Sequence, residues 1–287
     1  MIDPLDRLIT LALDEDLGGV GDVTTMALVP AEAHGTAELV AKEPLVLAGM
    51  EAFMRVFRHV DPEVQVEALK HDGDEVAARA VVARLSGRLR SLLVGERTAL
   101  NLVQRTSGIA TLARQAARAV EGSGLQVLDT RKTAPGMRGI SKAAVRAGGA
   151  SNHRFGLFDG VLIKDNHIAA VGGSVRLAIQ RARAGAPRLV KVEVEVTNLT
   201  QLDEALDEGA DVVMLDNMDD EQIREAVAQV KGRVPLEVSG GVTLERLPVL
   251  ATLGVNFVSM GALTHSARAM DLSLEIDTRP EAGPAAR

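Results

Sequence analysis

Val190-Lys191-Val192-Glu193-Val194-Glu195-Val196 puts four valines on one face of an extended chain and three charges on the other, because successive strand side chains point to opposite sides. In a (β/α) barrel the valines pack against the surrounding helices and the charges point into the barrel interior. Buried charge must be paired or must meet a ligand. Lys191 and Glu193 are expected to pair with each other, and Glu195, nearest the strand's C-terminal end, is the better ligand candidate.

Comparable apolar runs on either side also stop on polar clusters. Val127–Leu128 runs into Asp129-Thr130-Arg131-Lys132-Thr133, Val161–Ile163 into Lys164-Asp165-Asn166-His167, and Val212–Leu215 into Asp216-Asn217. Leu236–Val238 runs into Ser239-Gly240-Gly241, and Phe257–Val258 into Ser259-Met260-Gly261. That makes six clear runs, and any seventh must lie in weaker sequence. Ala-rich helical spacers separate several of them, at Val175–Ala184, Leu199–Glu208, Asp220–Val230 and Leu244–Leu253, each ending near a glycine. Strand and helix alternating in this way predict parallel βα units whose strand C-termini share one mouth, where barrel chemistry sits.

Residues 1–106 read differently. Leu5–Leu17 has helical spacing, and Ala37–Lys42, Val64–Leu69 and Ala80–Ser86 read as strands around a helix at Met50–His59. A long helical stretch, Arg88–Val120, is expected to break near Ser107-Gly108 and to bridge to a barrel spanning 107–267. The final segment, 268–287, holds an alternating strand at Leu272–Ile276 that can return to the N-terminal domain, then a Pro/Ala/Gly-rich tail at 280–287 expected to fray.

Composition narrows the function. The 287 residues suit a barrel with a smaller partner domain. With no cysteine, disulfides, thiolate nucleophiles and Cys-bound metals are excluded. Five Phe with no Tyr or Trp, and a net charge of −7, argue against a nucleic-acid platform. Acids near the N-terminus, and the lack of an apolar run of about 18–20 residues, point to a soluble cytoplasmic protein with no membrane role. From Arg131 to His167, however, seven Lys/Arg face two Asp. These basic residues read as lying at strand ends and in Gly-rich loops rather than along one helix, which suggests a pocket for a small polyanion. Arg131, Lys132, Arg154 and Lys164, with His153 beside them, suit a ligand with two or more anionic groups, since guanidinium forks match carboxylate or phosphate. Glu195 and Asp216 end neighbouring runs and can hold ribose hydroxyls or a hydrated Mg²⁺. Ser239-Gly240-Gly241 and Ser259-Met260-Gly261 let backbone N–H groups approach a phosphate. His167 is read as structural.

Six motifs taken in order resemble the quinolinate phosphoribosyltransferase family: Asp129–Thr133, Asn152–Leu157, Leu162–His167, Glu193–Val196, Met214–Asn217 and Ser239–Val242. The resemblance spans nearly the whole chain. It implies a type II phosphoribosyltransferase fold, an incomplete (β/α) barrel with an N-terminal α/β sandwich domain, in a homodimer whose active sites are shared. The implied substrates are quinolinate and phosphoribosyl pyrophosphate with Mg²⁺, and the reaction is a decarboxylating transfer in de novo NAD biosynthesis. Arg97 would reach the partner's site. Thr130, Arg131, Lys132, His153, Arg154 and Lys164 would hold quinolinate. Glu195 and Asp216 would address ribose and Mg²⁺, directly or through water, while Ser239, Gly240, Gly241, Ser259, Met260 and Gly261 would take the 5-phosphate. Lys132, Lys164, Glu195 and Asp216 would carry the chemistry, either lysine serving decarboxylation. Two other enzyme readings stay open: the same fold with a different acceptor, and a Schiff-base aldolase using Lys164 or Lys191. A non-enzymatic anion binder is a third.

Overall fold

Alternating patterns become two separate sheets in the computed structural model, which describes residues 3–277. The first half runs α1 (Pro4–Leu17), α2 (Val23–Leu28), β1 (His34–Ala41), β2 (Leu45–Val46), α3 (Met50–Val60), β3 (Gln65–Ala68), β4 (Glu75–Val76), β5 (Val81–Arg88) and α4 (Leu89–Ala119). There follow β6 (Gln126–Leu128), α5 (Arg138–Ala147), β7 (Val161–Ile163), α6 (Asp165–Ala170), α7 (Val175–Gly185), β8 (Val192–Val196), α8 (Leu199–Asp207) and β9 (Val212–Asp216). The chain continues through α9 (Asp220–Val230), β10 (Leu236–Ser239), a 3₁₀ turn (Leu244–Arg246), α10 (Leu247–Leu250), β11 (Phe257–Ser259), α11 (Ala262–His265) and β12 (Leu272–Asp277).

Two compact units emerge. One holds the residues up to Ala113, Ala134–Gly149 and the chain from Ala267; the other holds Arg114–Thr133 and Ala150–Ser266. The tail at 280–287 lies outside the described residues. No helix among the described residues is long and apolar enough to cross a membrane.

In the first unit an antiparallel sheet of order β12-β1-β5-β3 buries one face. Leu39 and Ala41 of β1 and Leu85 of β5 pack with Phe53 and Phe57 of α3, whose rings meet edge-on at 5.2 Å. The opposite face carries Glu38, Arg84 and Glu275 and is open to solvent. The expected break in α4 does not occur. A Cβ on Gly108 would lie 1.7 Å from the carbonyl oxygen of Arg268, so this glycine admits close backbone passage within an unbroken helix. Gln104 ties the same segment, its carbonyl accepting from Met270 N–H and its side chain donating to the Leu272 carbonyl.

Six parallel strands, in the order β6-β11-β10-β9-β8-β7, form the sheet of the second unit. β6 and β7 are its edges, so the barrel is incomplete. The seventh element is a single residue: Ser151 bridges in parallel to Leu128, its N–H donating to the Val127 carbonyl and its carbonyl accepting from Asp129 N–H. Val192, Val194 and Val196 are buried, with α7 and α8 packed against β8. Side-chain caps start the covering helices, with Ser174 on α7, Asn198 on α8 and an Asp219/Gln222 capping box on α9. One spacer differs from expectation: Leu244–Leu253 is a 3₁₀ turn and a short helix, with Pro248 at the start of the latter.

Candidate active site

Strand register decides which side chains meet. Leu162 of β7 lies opposite Glu193, Glu195 opposite Met214, Met214 opposite Glu237, and Glu237 opposite Phe257. All of these share the concave face, and residues two positions further along open onto the mouth. There, Thr130, Arg131, Lys132, His153, Arg154, Lys164, Ser239 and Ser259 line a cavity of about 320 Å³, floored by Leu162, Met214 and Glu237. A larger hollow of about 790 Å³ covers the open face of the first unit's sheet. It gathers residues of both charges and lacks the cationic lining, so the mouth is the stronger candidate for chemistry.

Four cations therefore converge, and not the whole basic stretch. Arg138, Lys142 and Arg146 lie along α5 at helical spacing, in the other unit. For them, the reading of basic residues away from any one helix is corrected. The rest are placed by loop anchors. Asp129, fully buried, accepts from Asn152 Nδ2 at 2.6 Å and from His153 N–H at 2.9 Å, which fixes the loop after Ser151. Arg154 donates to the Gly160 carbonyl at 2.9 Å; burial, then the Arg131 charge, lower its pKa. Thr130 Oγ1 accepts from Lys132 N–H, and the Lys132 carbonyl accepts from Thr264 Oγ1.

Lys164, just past β7, donates to Glu195 on the adjacent β8 at 2.6 Å. His167 is structural, as read, since its Nδ1 accepts from Lys164 N–H at 2.9 Å at the start of α6. Asp216 ends β9 and accepts from Asn217 Nδ2 at 2.7 Å. Asn217 has φ 55° and is seated against Gly240, where a Cβ would come within 2.2 Å of Asn217 Oδ1. Gly240 is thus demanded by its own φ of 97° and by this contact, while the Cβ position of Gly241 meets only open space. Met260 is buried, and a Cβ on Gly261 would lie 3.0 Å from the Lys132 stem. Arg97 is exposed on α4 of the first unit.

Beneath the cations lies an acid pair. Glu193 does not pair with Lys191: its Oε2 lies 2.9 Å from His153 Nε2, and Glu237 Oε2 lies 3.6 Å from the same nitrogen. The correction follows from position, because Lys191 sits exposed before β8 begins while His153 is brought over Glu193 by the Asp129 anchor. Burial first, then the charge of Glu193, push Glu237 up to about 7, against the pull of His153 and a hydrogen bond from Ser259. Burial also opposes charge on His153, but the Glu193 hydrogen bond and the two carboxylates outweigh it and raise its pKa. Arg154 N–H donates to His153 Nδ1 at 2.7 Å, a bond that needs the lone pair there. The ring therefore meets Glu193 through Nε2–H, and any second proton would find Nδ1 occupied.

Glu237 and Asp129 are the residues that the sequence reading did not single out. Alternation carried the signal for Glu237, which stands two residues before Ser239 and shares its face. His153, Glu193 and Glu237 also place one ligand atom each within 4.8 Å of one another. A buried nitrogen donor beside a proton-holding carboxyl fits hydrated Mg²⁺ poorly. Glu195 and Asp216 fit it better, being oxygen donors on neighbouring strands at the mouth.

Comparison with known proteins shows the family. The family model described as "Quinolinate phosphoribosyl transferase, C-terminal domain" matches residues 109–275, and its N-terminal counterpart matches 22–107. A Bacillus subtilis protein named probable nicotinate-nucleotide pyrophosphorylase [carboxylating] is 44% identical over 272 residues, covering 95% of this chain and 93% of its own. An Arabidopsis thaliana chloroplastic protein of the same name is 43% identical, covering 96% of this chain and 83% of its own. The solved nicotinate-nucleotide pyrophosphorylase of Francisella tularensis superposes with a TM-score of 0.89 at 38% identity, covering 96% of this chain and 98% of that one.

Proposed function

This chain belongs to the quinolinate phosphoribosyltransferase family, and on that premise we propose that it transfers phosphoribose from phosphoribosyl pyrophosphate to quinolinate with loss of CO₂. The product is nicotinate mononucleotide, for de novo NAD biosynthesis. One observation carries the reading: four cations, Arg131, Lys132, Arg154 and Lys164, line a single cavity beside the Glu195 and Asp216 strand ends. A planar diacid needs the first group and a sugar phosphate the second. Nothing in the comparisons favours a Schiff-base aldolase.

The residues divide the work. Arg131 and Arg154 clamp the carboxylates of quinolinate, which fixes the ring nitrogen toward C1 of the ribose and supplies orientation. Glu195 and Asp216 face the ribose and stabilise positive charge that develops at C1 as pyrophosphate departs. They would also hold Mg²⁺, which would supply neutralisation of charge on the departing pyrophosphate. The Ser239–Gly241 and Ser259–Gly261 turns receive the 5-phosphate on backbone N–H groups. Thr130 and His153 close the acceptor side, and Lys132 and Lys164 steer the carboxylate that is lost. Nitrogen attack makes a pyridinium, an electron sink that lets C2 release CO₂.

The working form is a cytoplasmic homodimer in which the exposed Arg97 enters the partner's mouth. Incubating the protein with quinolinate, phosphoribosyl pyrophosphate and Mg²⁺ should give nicotinate mononucleotide and CO₂. Turnover with nicotinate but none with quinolinate would refute the assignment. For the shared site, mixing inactive Arg97→Ala and Lys132→Ala variants should restore part of the activity, and a mixture without activity would count against it.

A further inference from the structure

Glu237 stands where two cavities meet. It lines the mouth cavity and also a second one of about 210 Å³. That second cavity is bordered by Val161, Lys191 and Val212, at the starting ends of β7, β8 and β9, opposite the mouth. The Oε1 atoms of Glu237 and Glu193 are both buried and have no hydrogen-bond partner among the described residues. Two such carboxyls side by side are stabilised when one of them keeps a proton. The neighbouring donors serve other oxygens: Ser259 bonds Glu237, His153 Nε2 meets Glu193 Oε2, and Lys164 donates to Glu195. Arg154, Lys191 and Asp159 border the lower cavity.

We propose that Glu237 is the acid that protonates C2 of the pyridine ring after CO₂ leaves, and that the lower cavity restocks its proton from solvent. This rests on the transferase reading above. When the C2–carboxylate bond breaks, its electron pair stays on C2 beside the pyridinium nitrogen. That pair takes the proton of the Glu237 carboxyl, forming C2–H and leaving a carboxylate on the cavity floor. One solvent proton, entering past Lys191, restores the acid for the next turnover. The count balances, one proton gained for each CO₂ lost. Retention of the proton near neutral pH accords with the burial of Glu237 and the Glu193 charge.

Glu237→Gln tests this, since it keeps the shape and neutrality of the acid and removes its proton. We expect kcat to fall about 100-fold with KM for quinolinate changed less than about threefold. In quenched single turnovers pyrophosphate should leave at the wild-type rate while the still carboxylated nucleotide accumulates, because a C2 anion left unprotonated beside CO₂ recaptures it. A role in packing alone would slow both steps together, and that result, or an unchanged kcat, overturns the proposal. If circular dichroism shows the Gln variant unfolded, Glu237→Asp carries the same test, because it withdraws the acid from the floor and should also accumulate the carboxylated nucleotide. Wild-type protein that made no nicotinate mononucleotide would instead refute the transferase reading itself.

Discussion

Replacing Gly240 with alanine, with Gly241→Ala as its control, separates backbone strain from loss of the Asp216 mooring. Both glycines have positive φ, 97° and 57°. Forcing alanine into such a conformation costs about 1–2 kcal/mol, and Gly241→Ala should cost no more, because its Cβ would meet nothing within 4 Å. At Gly240 the Cβ would stand 2.2 Å from Asn217 Oδ1, 2.7 Å from its Cγ and 3.1 Å from its backbone nitrogen. Asn217 must then swing away, breaking its 2.7 Å hydrogen bond to Asp216. A hydrogen bond to a charged group is worth about 1.5–3 kcal/mol, so Gly240→Ala should destabilise by about 2.5–5 kcal/mol in all. Urea titration reads the stability difference directly. If Asp216 faces the sugar phosphate as proposed, its release should raise KM for phosphoribosyl pyrophosphate about tenfold, equivalent to about 1.4 kcal/mol, with KM for quinolinate little changed. Equal losses for the two alanine variants would refute the coupling of Gly240 to Asp216 through Asn217.

Gly108→Ala reverses a common expectation. Alanine in an open helix stabilises by about 0.5–1 kcal/mol, but here the methyl would meet a backbone carbonyl at 1.7 Å, so urea melts should show a loss of about 1–3 kcal/mol or more. Glu237 makes stability depend on pH. An unfolded glutamate releases its proton near 4.5 and the folded one near 7, so between these values the folded state binds more protons and stability falls as pH rises. The penalty reaches about 3 kcal/mol above that window; Glu237→Gln should flatten the slope in melts compared at about pH 5 and about pH 8, and an unaltered slope would contradict the assignment. Asp129→Ala removes the acceptor of Asn152 Nδ2 and His153 N–H. Each buried donor left unanswered costs about 1–3 kcal/mol, and KM for quinolinate should rise as His153 and Arg154 lose their anchor. An unchanged KM would show that the loop is held by something other than Asp129.

What the sequence revealed and concealed has a physical pattern. Period-two alternation located the concave face of β8 and the polar endings that meet at the mouth, because a strand enclosed by helices must write its two faces differently. It did not announce Ser151, since a single bridging residue needs no apolar run, nor the continuity of α4, since Gly108 answers to a carbonyl some 160 positions away. Local charge counting overreached for a similar reason: helical spacing sends Arg138, Lys142 and Arg146 along α5, whichever loops flank them. Glu237 is the instructive case. Between Leu236 and Val238 it reads as one interruption of an apolar run, yet that position makes it share a face with Ser239, and pairing with Met214 and Phe257 carries it to the cavity floor. Its meaning comes from Glu193 and His153, brought beside it by strand order and by the Asp129 anchor. A carboxyl enclosed in this way either destabilises the fold or serves the reaction as an acid, and the kinetics of Glu237→Gln distinguish the two.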